Sequence, residues 1–360
     1  MKKYIYGIST VIVVAITLIY GRVEKEIIDD INVVTAVGFD DAKGEKIKGT
    51  AVIPVFNADK SIDNATFTDE SVLAKEIINV LQKKSADPLA TGGIRVVLYQ
   101  DKLARKGILK FVDALQRDAS VGSNMYLAIV EGETQEVLNT TLGNRGTGEY
   151  LATIMEHNTE RRDVPRSDLH TFLFRHHATG MDPYLPLMKL LKDKMEITGL
   201  GMFQDGRLVY QIDEPDMFFF KAMVENYGAG SYTLNLKATG EYASVKRILT
   251  KRDVRVEKVG ATPEVNIYIQ FEGILSEFTG RRTNPAIIDE IIKELEKEIV
   301  TKSEKMLKDF QDRGIDPVGI GYMARNSNRD FDNVKWEGDY PKIDMKVHAK
   351  VVLTETGIIE

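Results

Sequence analysis

Residues 265–314 place an alternating segment directly ahead of a long amphipathic one, and this pairing restricts the fold of the C-terminal third. Val265, Ile267, Ile269 and Phe271 fall on one side of an extended chain, with Asn266, Tyr268 and Gln270 on the other. That is the period of a half-buried strand. Ile288, Ile291, Ile292, Leu295, Ile299, Met306 and Phe310 then recur at helical spacing. Asn284 is placed to cap this helix, Pro285 suits its first position, and Gly314 its end. Glu298–Lys302 and Glu304–Lys308 are favourable i, i+4 pairs. At about 1.5 Å per residue the helix would run roughly 40 Å. Further strands are expected over Tyr232–Leu236, Val254–Val256 and the alternating Ile343–Val351. Residues 231–360 therefore predict an antiparallel sheet with a long helix laid across it.

The N-terminal half reads differently. Ile31–Phe39 is rich in β-branched residues and Lys48–Phe56 reads as its partner. A helix is expected from Asp69 or Glu70 to about Lys84, a buried strand over Ile94–Tyr99, a helix over Lys102–Arg117 and a strand over Met125–Val130. This alternation marks an α/β domain over residues 23–182. Gly143–Gly180 reads as a long surface loop with a helix near Glu149–His157. In a middle region, 183–230, Leu185–Lys194 reads as a short helix. There, Ile197–Phe203 and Arg207–Ile212 flank Gln204-Asp205-Gly206, a hairpin signal. The overall class is α+β.

Residues 1–22 precede these domains. Lys2 and Lys3 lead an uncharged, mostly apolar run from Tyr4 to Tyr20, followed by Arg22. The run is at the short end of what crosses a bilayer. No small-x-small cleavage site follows, so a signal-anchor is expected, with the lysines on the cytoplasmic side.

Composition narrows the chemistry. A net charge of −6 argues against a nucleic-acid partner. With no cysteine, disulfides and thiolate sites are impossible. Gly143–Gly148 (GNRGTG) fits neither phosphate-loop spacing and reads as a turn. Of the five histidines, His170, His176 and His177 crowd one segment near Arg161, Arg162 and Arg175; His157 and His348 lie elsewhere. Adjacent histidines rarely share a metal, and the positive surroundings disfavour a cation, so a mixed basic surface is the reading. The acidic groups Asp213, Glu214 and Asp216, and Asp330 with Asp332, are pairings expected by chance. Met217-Phe218-Phe219-Phe220 reads as core. No nucleophile-elbow motif is present, and no catalytic residue, cofactor or metal is expected.

Several blocks carry a resemblance. Glu26-Ile27 followed by Ile31 to Asp40 (INVVTAVGFD) is similar to the start of mature Ger(x)C proteins. These are the C subunits of GerA-type spore germinant receptors. Gly93 to Gly132 resembles the most recognisable part of their N-terminal domain, and Leu185 to Val209 their link into the second region. Asp316-Pro317-Val318-Gly319-Ile320-Gly321 after a long helix, then Trp336 and a strand closing on Thr356-Gly357, is similar to their C-terminal domain.

The resemblance implies a non-enzymatic lipoprotein on the outer face of the inner spore membrane. It would assemble with integral-membrane A and B subunits in a complex triggered by nutrients. The family's lipid-bearing cysteine is replaced here by Gly21. Glycine has no thiol to acylate, so lipidation is not expected and the helix Tyr4 to Tyr20 becomes the tether. An alternative is a tethered solute-binding protein that holds the nutrient itself, which needs a preformed pocket with convergent polar groups; an exported hydrolase ranks last.

Overall fold

The computed structural model describes Tyr6 and residues 31–356, apart from Ser123, Gly260, Ala261, Arg282, Arg329 and Asp330. Apart from Tyr6, the segment Tyr4 to Tyr20 therefore lies outside the described residues, as do Gly21 and Asp330. Among the described residues, no helix is long and apolar enough to cross a membrane.

The chain opens with β1 (Asn32–Val33), β2 (Ala36–Asp41), β3 (Ile47–Phe56) and β4 (Ile62–Ser71), followed by helix α1 (Glu76–Gln82) and β5 (Leu89–Ala90). Next come β6 (Val96–Gln100), α2 (Asp101–Lys106), α3 (Leu109–Gln116), β7 (Tyr126–Glu131), α4 (Thr134–Asn139), α5 (Thr147–Arg161) and α6 (Leu169–His177). Then β8 (Tyr184–Leu191), β9 (Lys194–Gln204), β10 (Arg207–Asp213) and α7 (Glu214–Val224) lead into β11 (Ser231–Leu236), β12 (Glu241–Val259) and β13 (Thr262–Phe278). The chain closes with α8 (Pro285–Arg313), α9 (Ile320–Ser327), α10 (Asn333–Asp339) and β14 (Asp344–Thr356).

Two main sheets result. The larger has eight strands in the order β10-β9-β8-β7-β6-β2-β3-β4, and the smaller has four, β11-β12-β13-β14. The parallel centre of the large sheet (β2, β6, β7, β8) is buried on both faces and flanked by antiparallel edges. One face carries Val37, Val97, Tyr99 and Ile129 against Phe111 of α3 and Phe172 of α6. The other carries Val96, Leu98, Ala128 and Met188, and its core runs on without a break into the small sheet.

Helix α7 makes that continuity. All its residues from Met217 to Val224 are buried, because α7 touches β9 and β10 on one side and β12, β13 and α8 on the other. A helix apolar all round must be buried all round. This is where the sequence Met217-Phe218-Phe219-Phe220 goes. Phe218 packs 5.4 Å from Phe271, and Phe220 6.0 Å from Phe310.

Several expectations are corrected. The small sheet is not purely antiparallel: β14 pairs parallel with β13. Helix α8, 29 residues long, returns the chain to the end where β13 began, and a crossover of that kind yields a parallel neighbour. Leu185–Lys194 is strand β8 running into a hairpin rather than a helix. A short apolar run buried on both faces has no period by which to tell the two apart. The stretch from Asp69 stays extended to Ser71 before α1 starts at Glu76. Helix α6 occupies part of the expected long loop. Strands β8–β10 belong to the large sheet, so residues 183–230 do not form a separate middle region in the sheet topology.

Helix α8 also closes an edge. It runs antiparallel beside β14, where Glu304 Oε1 accepts from Val347 N at 3.2 Å and Glu296 Oε1 from Val351 N at 2.9 Å. Eight helical residues and four strand residues both advance about 12–13 Å, so the two carboxylates keep step with outward-facing strand amides. An exposed strand edge is thereby blunted.

Candidate functional site at the junction of the sheets

The link from α6 into β8 meets the segment that follows α8, and the two are bonded reciprocally. Asp182 N donates to Asp316 O at 2.9 Å, and Asp316 N donates to Asp182 Oδ2 at 2.7 Å. Tyr322 N donates to Gly180 O at 2.8 Å. The approach requires glycine. Gly180 has φ +83°, and a Cβ there would lie 2.5 Å from the backbone carbon of Gly321.

Asp316 organises the other side. Helix α8 stops at Gly314, in the left-handed conformation. Two residues on, the Asp316 carboxylate accepts from Gly319 N (2.8 Å), Ile320 N (3.0 Å) and Gly321 N (2.7 Å). These are free amides at the start of α9, and a carboxylate is a strong acceptor for them. Arg175 reaches across from α6: its Nη1 donates to Pro317 O at 2.8 Å, and its guanidinium lies 4.4 Å from the Tyr184 ring. Gln311 Nε2 donates to Tyr340 O and Ile343 O at 2.7 and 2.9 Å, and Tyr340 Oη donates to Ile315 O at 2.8 Å.

The junction is electrostatically loaded. Burial raises the Asp182 carboxyl to about 7, opposed by the Asp316 amide and reinforced by the Asp316 charge. Burial likewise raises Asp316 to about 6, with its three amide donors and Arg175 pulling the other way. Arg252, on β12 nearby, is lowered by burial and then by the Arg175 charge. Two carboxyls sit here with less positive charge around them than their ionised forms would call for.

A second buried group fastens the end of α5 to α7. Lys221 is fully buried, and its Nζ donates to Thr159 O at 2.6 Å and Arg162 O at 2.7 Å. It pairs with Glu225 at 3.4 Å and lies 4.8 Å from the Tyr227 ring. Tyr227 in turn exchanges hydrogen bonds with Thr250 of β12. Burial lowers the Lys221 pKa and raises Asp163 beside it to about 6.

The residues singled out from sequence are scattered. His157 is on α5 and His170, His176 and His177 are on α6. The His176 and His177 rings lie 5.0 Å apart, and burial followed by the His177 charge lowers His176. His348 is on β14, stacked 4.7 Å from Tyr268 and 2.8 Å from Asn266 Oδ1. Among the described residues, no group of three His, Asp or Glu side chains is placed to hold a metal. Gly143 and Gly146 adopt positive φ in a turn into α5. That turn is secured by buried Thr147, which donates to Thr140 O at 2.7 Å and accepts from Asn64 Nδ2 at 2.8 Å. Asp216 pairs with Lys302 at 2.9 Å, and Asp332 caps α10. Sequence reasoning missed Arg175, Asp182 and Lys221 as a group. In the sequence Asp316 stands out only within its glycine-rich block, although Asp ahead of Gly-Ile-Gly at a helix start is a capping signal.

A mixed sheet and a helix-backed sheet, locked by buried ionic groups, make up the two parts of this α+β protein. The Spore germination protein N-terminal domain model matches residues 24–190, and the Spore germination B3/GerAC like, C-terminal model matches residues 198–357. The chain belongs to the Ger(x)C family of spore germination receptor subunits. Spore germination protein GerQC of Bacillus cereus is 27% identical over 344 residues, covering 94% of this chain and 96% of that protein. A putative spore germination protein of Bacillus subtilis (strain 168), YfkR, is 22% identical over 296 residues, covering 78% and 75%. The crystal structure of the GerBC protein superposes with a TM-score of 0.58 at 16% identity, covering 88% of this chain and 96% of that one, which shows a shared fold. The first family model ends in β8 and the second begins in β9. Strands at the start of the second therefore complete the sheet of the first.

Proposed function

We propose that this chain is the non-enzymatic C subunit of a nutrient germinant receptor. It is held at the outer face of the inner spore membrane and works by assembly with integral-membrane A and B subunits. The observation that carries the non-catalytic part is how the junction's perturbed groups are used. Asp316 is engaged by three backbone amides, Asp182 by a fourth, and Arg175 and Lys221 by backbone carbonyls. Groups so engaged hold loops together; they are not poised to move protons or attack a substrate. Membership of the family supports the receptor role.

The tether in this reading is the segment Tyr4 to Tyr20, retained because Gly21 offers no thiol for lipid. Labelling with a radioactive fatty acid tests that part. The chain should stay in the membrane fraction unlabelled, and lipid incorporation or release of a form lacking residues 1–20 would refute it. In-frame deletion in a spore-former tests the receptor role. Growth and sporulation should be normal and the response to one nutrient lost; a strain that lacks this chain and all paralogous receptor C subunits and still responds to that nutrient would contradict it.

A further inference from the structure

Strand β3 runs on past the helices that cover it. Val52 is buried among residues of α4 and α5 on one face, and Ile53 among those of α1 on the other. Further along, Val55 is 39% exposed and Phe56 75% exposed, on opposite faces because strand side chains alternate. The turn into β4 is tied by its own groups. Asn57 N donates to Ser61 O at 2.9 Å, Asn57 Nδ2 to Asp63 Oδ2 at 2.8 Å, and Ser61 N and Oγ to Asp59 Oδ1 at 2.9 and 2.6 Å. Lys60, at φ +68°, is exposed within it.

A single exposed apolar residue is ordinary. Exposure on both faces of a tip is less so, since a protein partner packs against one face of a hairpin whereas a lipid phase surrounds both. Its place in the fold favours lipid. β2 begins at Ala36 opposite Val52, and β1 just before it touches β3. The continuous described chain, which starts at Ile31, thus enters at the end of the large sheet that carries the tip. On the tether reading above, from which this inference follows, residues 21–30 join the membrane segment to Ile31. Such a length reaches at most about 35 Å. Val72 and Leu73, also exposed, follow the other end of β4, a strand about 33 Å long. Turning them to the bilayer would use up nearly the whole reach; the β3–β4 tip needs none of that extra length.

We propose that the β3–β4 tip is a second membrane contact, with Phe56 and Val55 entering the headgroup region of the bilayer and Lys60 at the level of the lipid phosphates. Two apolar side chains are too few to hold a protein at a bilayer alone. Beside a tether the contact becomes intramolecular, and a weak contact then suffices. A single tether leaves the folded part free to pivot; a second point of contact fixes which face of the large sheet is turned along the membrane.

Because the chain has no cysteine, an introduced one carries a fluorophore at a single place. The experiment labels full-length Ala58→Cys, at the tip, and Leu73→Cys, at the far end, with an environment-sensitive dye. Each is reconstituted into phosphatidylglycerol–phosphatidylethanolamine vesicles with and without nitroxide-labelled lipid, and flotation reports the tether separately. The label at position 58 should shift to the blue and be quenched by the nitroxide lipid, and the label at 73 should not. Phe56→Asp in the Ala58→Cys chain should abolish the quenching while flotation persists. A chain that floats with position 58 unquenched, with 73 quenched as strongly, or with quenching indifferent to Phe56→Asp overturns the proposal alone. A chain that does not float overturns the tether reading and the proposal with it. Quenching that needs no nitroxide and grows with protein density would assign the tip to a second copy, and shielding seen only in native inner membranes would assign it to a protein partner; either result also overturns the proposal.

Discussion

Asp182→Asn is expected to stabilise the protein at pH 8 and to lose that advantage by pH 5. The carboxyl is raised from an ordinary 3.8 to about 7, and burial is the main cause. At about 1.36 kcal/mol for each tenfold change, keeping it ionised in the fold costs roughly 4 kcal/mol. The sign follows from proton counting. Between pH 4 and 7 the folded state holds a proton that the unfolded chain has released, so stability falls as pH rises through that window. Asparagine keeps a carbonyl oxygen for the 2.7 Å bond from Asp316 N and removes the ionisation. It forfeits attraction to Arg175 and escapes the repulsion from Asp316 that helps raise the carboxyl. The net gain at pH 8 should be about 1–3 kcal/mol, vanishing near pH 5. Urea unfolding of residues 23–360 at a series of pH values measures it. A variant less stable than the parent at pH 8, with the gap widening as pH rises, would refute the reasoning, since the carboxylate would then be a net stabiliser.

Other perturbations probe the same junction. Asp316→Ala strands three buried amides and should lower unfolding stability by about 3 kcal/mol or more in urea. Gly180→Ala forces a methyl against the Gly321 backbone at positive φ; a loss of about 3 kcal/mol is expected, visible as a lower melting temperature. Lys221→Met leaves the carbonyls of Thr159 and Arg162 without their donor and Glu225 without its partner, and should cost about 3–5 kcal/mol in the same urea assay. The double change Glu296→Ala with Glu304→Ala uncovers the β14 edge. It should cost only about 1–3 kcal/mol but promote concentration-dependent self-association in sedimentation velocity.

What could be read in the sequence was local. Asn284, Pro285 and Gly314 bracket α8 as their capping chemistry requires. Asp205-Gly206 turns β9 into β10, with Asp205 itself at φ +49°. The alternation of residues 265–271 is that of β13, whose Val265, Ile267, Ile269 and Phe271 are buried. What failed was set by partners far along the chain. β8 is extended because β7 and β9 flank it, and nothing inside Leu185–Lys194 says so. The parallel pairing of β14 depends on where α8 delivers the chain. The junction was illegible for the same reason: Asp182 and Asp316 are 134 residues apart, and Arg175 meets Pro317 across 142. Burial and opposing charge, which make those residues unusual, exist only once the two sheets have met.

The most direct test of the central claim is affinity purification of the tagged full-length chain from the inner membranes of dormant spores, solubilised in mild detergent. The account predicts that two integral-membrane subunits co-purify with it in fixed ratio, and that Asp316→Ala, by loosening the junction, reduces their recovery more than its own. Recovery of the folded wild-type chain alone, under conditions that preserve another receptor of the same spores as a complex, would contradict it.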